Sequence, residues 1–125
     1  MLLLGTLVHV ARSWLGSYGK TLDGLQGEAV QAMTRPRPDE RFGELSRLLV
    51  DVGHQERREP RRAVVLRAAL LDLILDALQA WSRRDPALAS TISSMSSMYG
   101  KMREQVNGDD EFEDEAESVR STLRP

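Results

Sequence analysis

Apolar residues recur at helical spacing through most of this chain, and one stretch is apolar almost all the way round. From Pro60 to Arg84, residues Val64, Ala68, Leu71, Leu75 and Leu78 form one stripe. Leu66, Leu70, Leu73, Ile74, Ala77, Ala80 and Trp81 extend it around most of the cylinder. Only Val65, Ala69, Asp72, Asp76, Gln79 and Arg83 read as facing solvent. A helix of that kind belongs at the centre of an assembly of other helices. Pro60 suits its first turn.

Ahead of it, Leu4, Val8, Ala11, Leu15, Tyr18, Leu22, Leu25 and Ala29 repeat at spacings of four and three. The pattern predicts an amphipathic helix over 2–33, packed lengthwise on a neighbour. Glycines at 5, 16, 19, 24 and 27 each cost roughly 0.5–1 kcal/mol inside a helix. The heptad phase survives all of them, which favours a continuous helix. Pro36 and Pro38 then forbid helix. A short helix is expected over 39–52, with Phe42, Leu45, Leu48, Leu49 and Val52 inward and Gly53 as its stop. Asp85-Pro86 is a start signal for a last helix over 86–107, striped by Leu88, Ile92, Met95, Tyr99, Met102 and Val106.

The expected fold class is therefore all-α, an antiparallel helical bundle of three long helices and one short helix. The domain spans 1–108. Its apolar faces exceed what one small bundle comfortably covers, so completion by oligomerisation is expected. Residues 109–125 read as an acidic, disordered tail. A short helix over Glu113 to Leu123 is the alternative, with Phe112, Ala116, Val119 and Leu123 as its only apolar contacts.

Charge sharpens that division. Residues 1–108 carry 15 basic and 12 acidic side chains, a balance of +3, whereas 109–125 carry 2 and 7, a balance of −5. The absence of cysteine excludes disulfides and Cys-ligated metal. The apolar N-terminal run has no preceding basic residue and no small-x-small site after it, so it does not read as a cleaved signal. It is also far short of the ~20 residues of a membrane span. These features point to the cytoplasm; export without a cleaved signal stays compatible. Trp14-Leu15-Gly16 resembles the W-x-G triplet of small helical-hairpin proteins of a bacterial secretion pathway. That triplet belongs in a mid-chain turn, and here it sits inside an amphipathic run, so no kinship follows.

Chemistry-bearing residues are sparse. His9 has no acidic neighbour at metal-binding spacing, and although Asp51 lies three before His54, Gly53 is expected to end the helix between them. Asp72 and Asp76 share a helix face, but a carboxylate metal site needs more ligands from a second helix; salt bridging, with Arg47 as one available partner, is the plainer reading. Neither a phosphate loop nor a nucleophile elbow occurs. No catalytic residue, metal site or cofactor is implied, and the chain reads as a non-enzyme. The function expected is helical assembly or adaptor work through protein–protein contacts, as a small subunit, chaperone or filament component. The partner is a second copy or another helical protein. The working surfaces would be Leu4, Val8, Leu15, Tyr18 and Leu22 on the first helix and Met95, Tyr99 and Met102 on the last. The alternative is nucleic-acid association through Arg57, Arg58, Arg61 and Arg62, in a basic cluster running to Arg67. That cluster also suits docking of the acidic tail.

Overall fold

The computed structural model describes residues 20–125. All of its regular structure is helical: α1 (Leu22–Met33), α2 (Pro38–Gly53), α3 (Pro60–Arg84), α4 (Ala89–Gln105) and α5 (Asp110–Leu123), with a 3-10 turn at Pro86–Leu88. No strand occurs among the described residues.

The helix expected over 2–33 does not run through residues 20 and 21. Lys20 and Thr21 are not helical, and α1 begins at Leu22. Thr21 is extended, and its hydroxyl accepts a hydrogen bond from the Gly24 N–H at 3.0 Å. Such a cap satisfies one of the free first-turn donors and is worth about 1 kcal/mol. Lys20 adds ion pairs to Glu28 at 3.3 Å and Asp51 at 3.4 Å, tying the start of α1 to the end of α2. Gly24 and Gly27 stay inside the helix. Leu4, Val8, Leu15 and Tyr18 lie outside the described residues.

α2 begins at Pro38, in the first-turn position where the missing N–H costs nothing, and Asp39 and Glu40 follow in its first turn. α3 covers the predicted stretch. It packs against α2, α4 and α5 and touches α1. Ala63, Leu66, Leu70, Leu71, Leu73, Ile74 and Leu78 are buried in the main core with Leu22, Leu25, Leu45, Leu48, Val52 and Ile92. Phe42 near the start of α2 meets Trp81 near the end of α3, with ring centroids 5.9 Å apart, and meets Tyr99 of α4 edge-on at 5.7 Å.

The last long helix starts later than expected. Asp85 does not cap it; the Asp85 carboxylate instead accepts from the Trp81 indole N–H at 3.1 Å. Pro86–Leu88 forms a 3-10 turn, and α4 starts at Ala89.

The largest correction concerns the C-terminal tail. Residues 110–123 form a packed helix, not a disordered segment. Asp109 is its N-cap, accepting from the Phe112 N–H at 2.8 Å, and Asp110, Glu111 and Glu113 lie in the first turn, where the helix dipole favours negative charge. Phe112, Ala116 and Leu123 are buried. They lie at four- and seven-residue steps, so a tail with few apolar residues still presents all of them on one stripe. That stripe covers one end of the side of α3 expected to face solvent: Val65, 4% exposed, packs with Phe112 and Ala116, whereas Asp76, Gln79 and Arg83 stay exposed.

Candidate functional site

The densest polar arrangement lies where α3, α4 and α5 meet. Arg103 of α4 donates through Nε to Asp72 of α3 at 2.9 Å and through Nη2 to Glu113 of α5 at 2.6 Å. Its Nη1 donates to the Val106 carbonyl at 2.8 Å, closing the end of α4. Arg120 of α5 bonds the other Asp72 oxygen and Glu117. Arg124 reaches Asp76 at 3.3 Å. Three helices are thus joined through one aspartate and two arginines. The hydrogen bond from Arg103 holds the Glu113 carboxyl below its usual range, and that from Arg120 does the same for Glu117. The remaining Glu113 oxygen, Oε1, is buried with no hydrogen-bond partner among the described residues.

This geometry answers the question of Asp72 and Asp76. Both face arginines, so their charge is neutralised by guanidinium groups. Arg47, the partner expected for Asp72, is instead beside Glu44 at 3.1 Å and Asp51 at 3.8 Å. Among the described residues no three His, Asp or Glu side chains converge to hold a metal ion.

Two clefts flank α5. One, of about 640 Å³, is bordered by Asp72, Arg103, Glu113, Glu117, Arg120 and Arg124. The other, of about 580 Å³, is bordered by Pro60, Arg61, Val65, Glu115, Ser118 and Val119. On the helical wheel Glu113, Glu117, Arg120 and Arg124 fall on one side of the stripe formed by buried Phe112, Ala116 and Leu123 with half-buried Val119, and Glu115 and Ser118 fall on the other. The helix therefore rests on a narrow apolar keel with open space on both flanks.

The arginine cluster divides in two. Arg61 pairs with Glu115 at 3.0 Å and lies over the Phe112 ring, 5.5 Å from its centroid. Arg62 pairs with Asp23, and Arg67 with Glu56 at 3.3 Å. Arg57 and Arg58 are exposed and have no ion-pair partner among the described residues. The cluster thus serves in part as a dock for the acidic tail of its own chain.

The residues singled out for protein contact are also divided. Leu22 is 1% exposed and belongs to the core, so it is not available as a docking surface. Met95, Tyr99 and Met102 are half-buried against the core, and Met98 beside them is 51% exposed. Leu88 and Val50 are also exposed. No described helix is long and apolar enough to cross a membrane. Sequence reasoning missed Arg103 and Arg120, which carry the network; the acid–base spacing Glu117–Arg120 was the local signal available.

Compared with protein-family models, curated proteins and solved structures, the chain matches none.

Proposed function

We propose that this chain is a non-enzymatic helical interaction protein, an assembly or adaptor subunit working through helix–helix contacts. One observation carries the reading. α4 has a single fully buried side chain, Ile92, while Met95, Tyr99 and Met102 remain half-covered and Met98 and Leu88 are exposed. Methionine-rich faces adapt to partner surfaces without a rigid fit. The polar network supports the same reading from the other side, because its carboxylates are engaged by arginines and serve as counter-ions.

The partner expected is a second copy, or another helical protein. The test is the native mass of the full chain beside that of a Met98→Asp, Leu88→Asp variant. Both positions are exposed, so substitution there leaves stability within about 0.5 kcal/mol. The wild type is expected to run as a multimer and the variant to lose that mass. A wild-type chain that stays monomeric at every concentration tested, alone and with its cellular extract, sinks the proposal.

Exposed Arg57 and Arg58 favour a second reading, contact with nucleic acid. It requires salt-sensitive retention on a DNA or RNA column; no binding at about 50 mM salt removes it.

A further inference from the structure

We propose that the face of α3 now covered by α5 is a docking site for an amphipathic helix of another protein, and that α5 is an undersized, displaceable occupant. The inference rests on the helix-interaction reading above and names the partner's chemistry.

The seat is charge-coded. Taking Phe112 as position i, the apolar contacts fall at i, i+4, i+7 and i+11. Acidic residues at i+1 and i+3, Glu113 and Glu115, meet Arg103 and Arg61. Arginines at i+8 and i+12, Arg120 and Arg124, meet Asp72 and Asp76. The groove is thus basic where it receives the start of the helix and acidic where it receives its end. That order agrees with the helix dipole and selects one orientation of an incoming helix.

The seat also leaves room along both of its flanks. The keel has an alanine, Ala116, at its centre, and the two flanking clefts hold about 640 and 580 Å³. Ser118 borders the second cleft, where Pro60, Val65 and Val119 give an apolar patch between the charged Glu59, Arg61, Arg62 and Glu115. A helix with the same charge order and a large apolar residue at i+6 buries more surface there. The tether at Asn107–Asp109 is short and exposed, and it gives α5 an effective concentration in the millimolar range. The extra apolar contact is what lets an untethered helix compete.

The probe is a fluorescein-labelled synthetic peptide of residues 109–125 carrying Ser118→Leu, titrated with the full chain and read by anisotropy. Saturable binding is expected. The dissociation constant should fall at least tenfold in a full chain with Leu123→Asp, which loosens the resident helix. It should rise at least tenfold in a full chain with Ser118→Leu, which tightens it. A peptide with Glu113→Arg, Glu115→Arg, Arg120→Glu and Arg124→Glu should bind at least tenfold more weakly. No saturable binding to the wild-type or Leu123→Asp chain overturns the proposal, as does equal binding of the charge-reversed peptide. Should Leu123→Asp lose its helical circular dichroism, the wild-type against Ser118→Leu comparison decides alone. A Leu123→Asp chain whose mass without peptide is twice that of the wild type assigns the groove to a second copy and also overturns it. Peptide failure together with mass loss in the Met98→Asp, Leu88→Asp variant would remove this site and leave the broader function standing.

Discussion

Asp72 and Gly108 carry more of the structure than their types suggest. Asp72 is the acceptor for two arginines from two different helices, and all three side chains are largely shielded, at 24%, 15% and 16% exposure. Replacing it with alanine leaves Arg103 and Arg120 facing each other without their shared anion. The expected loss is about 1–3 kcal/mol, read as a lower urea midpoint. A loss under ~0.5 kcal/mol would mean the arginines are held by Glu113 and Glu117 alone. Gly108 has ordinary backbone angles, but a Cβ placed there would stand 2.6 Å from Cγ of buried Phe112. Gly108→Ala must move the ring or the turn, at about 1–3 kcal/mol by analogy with core overpacking. Thermal melting of that variant against wild type measures it. Neither residue announces itself in the sequence: Gly108 lies there just past the expected last helix, and Asp72 reads as half of a solvated carboxylate pair.

At the level of the helix, what could be read in advance was what the chain encodes locally. Pro60 and the run of leucines up to Arg84 define α3, and Pro38 sets the start of α2, because proline acts within a turn of itself; Gly53, expected as the stop, is still helical and His54 is the C-cap. Two failures have tertiary causes. Asp85 reads as a cap, but the Trp81 indole takes its carboxylate. The tail reads as disordered because its acidity is summed over 17 residues, whereas folding depends on where those charges end up. Four apolar residues on one stripe and arginines waiting on α3 and α4 turn the same composition into a docked helix. The site was half legible: the arginine cluster was recognised as a dock for the tail, but the aspartate–arginine junction was not. This docking is pH-dependent, with a definite sign. Glu113 and Glu117 have folded-state pKa values below the ordinary glutamate value of 4.5, lowered by hydrogen bonds from Arg103 and Arg120. The unfolded chain therefore binds their protons first, and the stabilisation is complete above that value and lost as pH falls below it. Amide exchange within 110–123 is expected to accelerate as pH drops from 5 toward 3, beyond the intrinsic pH effect and ahead of exchange in α3. Equal protection of the two helices through that range would refute it.

For the molecule as a whole, α5 changes the reason to expect assembly. Part of the apolar surface foreseen on the central helix is covered within one chain, since α5 packs against Val65 and Ala68 and leaves them at most 4% exposed. Among the described residues, the large apolar side chains that remain outward are Leu88, just before α4, Met98 within it, and Val50 on α2. Ending the chain after Gly108 separates these two surfaces. It removes the burial of Phe112 and Leu123, about 1.5–3 kcal/mol each, from a total stability that for a domain of this size is about 5–15 kcal/mol. It also deprives Arg103 of Glu113 and Asp72 of Arg120, and shifts the formal net charge from −2 to +3. The truncated chain is therefore expected to have a clearly lower urea midpoint, to bind a hydrophobic dye, and to bind the Ser118→Leu peptide of residues 109–125 more tightly than the full chain does, through the uncovered strip of α3. That binding should persist when Met98→Asp and Leu88→Asp are added, because it uses a different face. A truncated chain with an unchanged midpoint and no dye binding would return residues 109–125 to the status of a solvated tail, and the docking site beneath α5 would go with it.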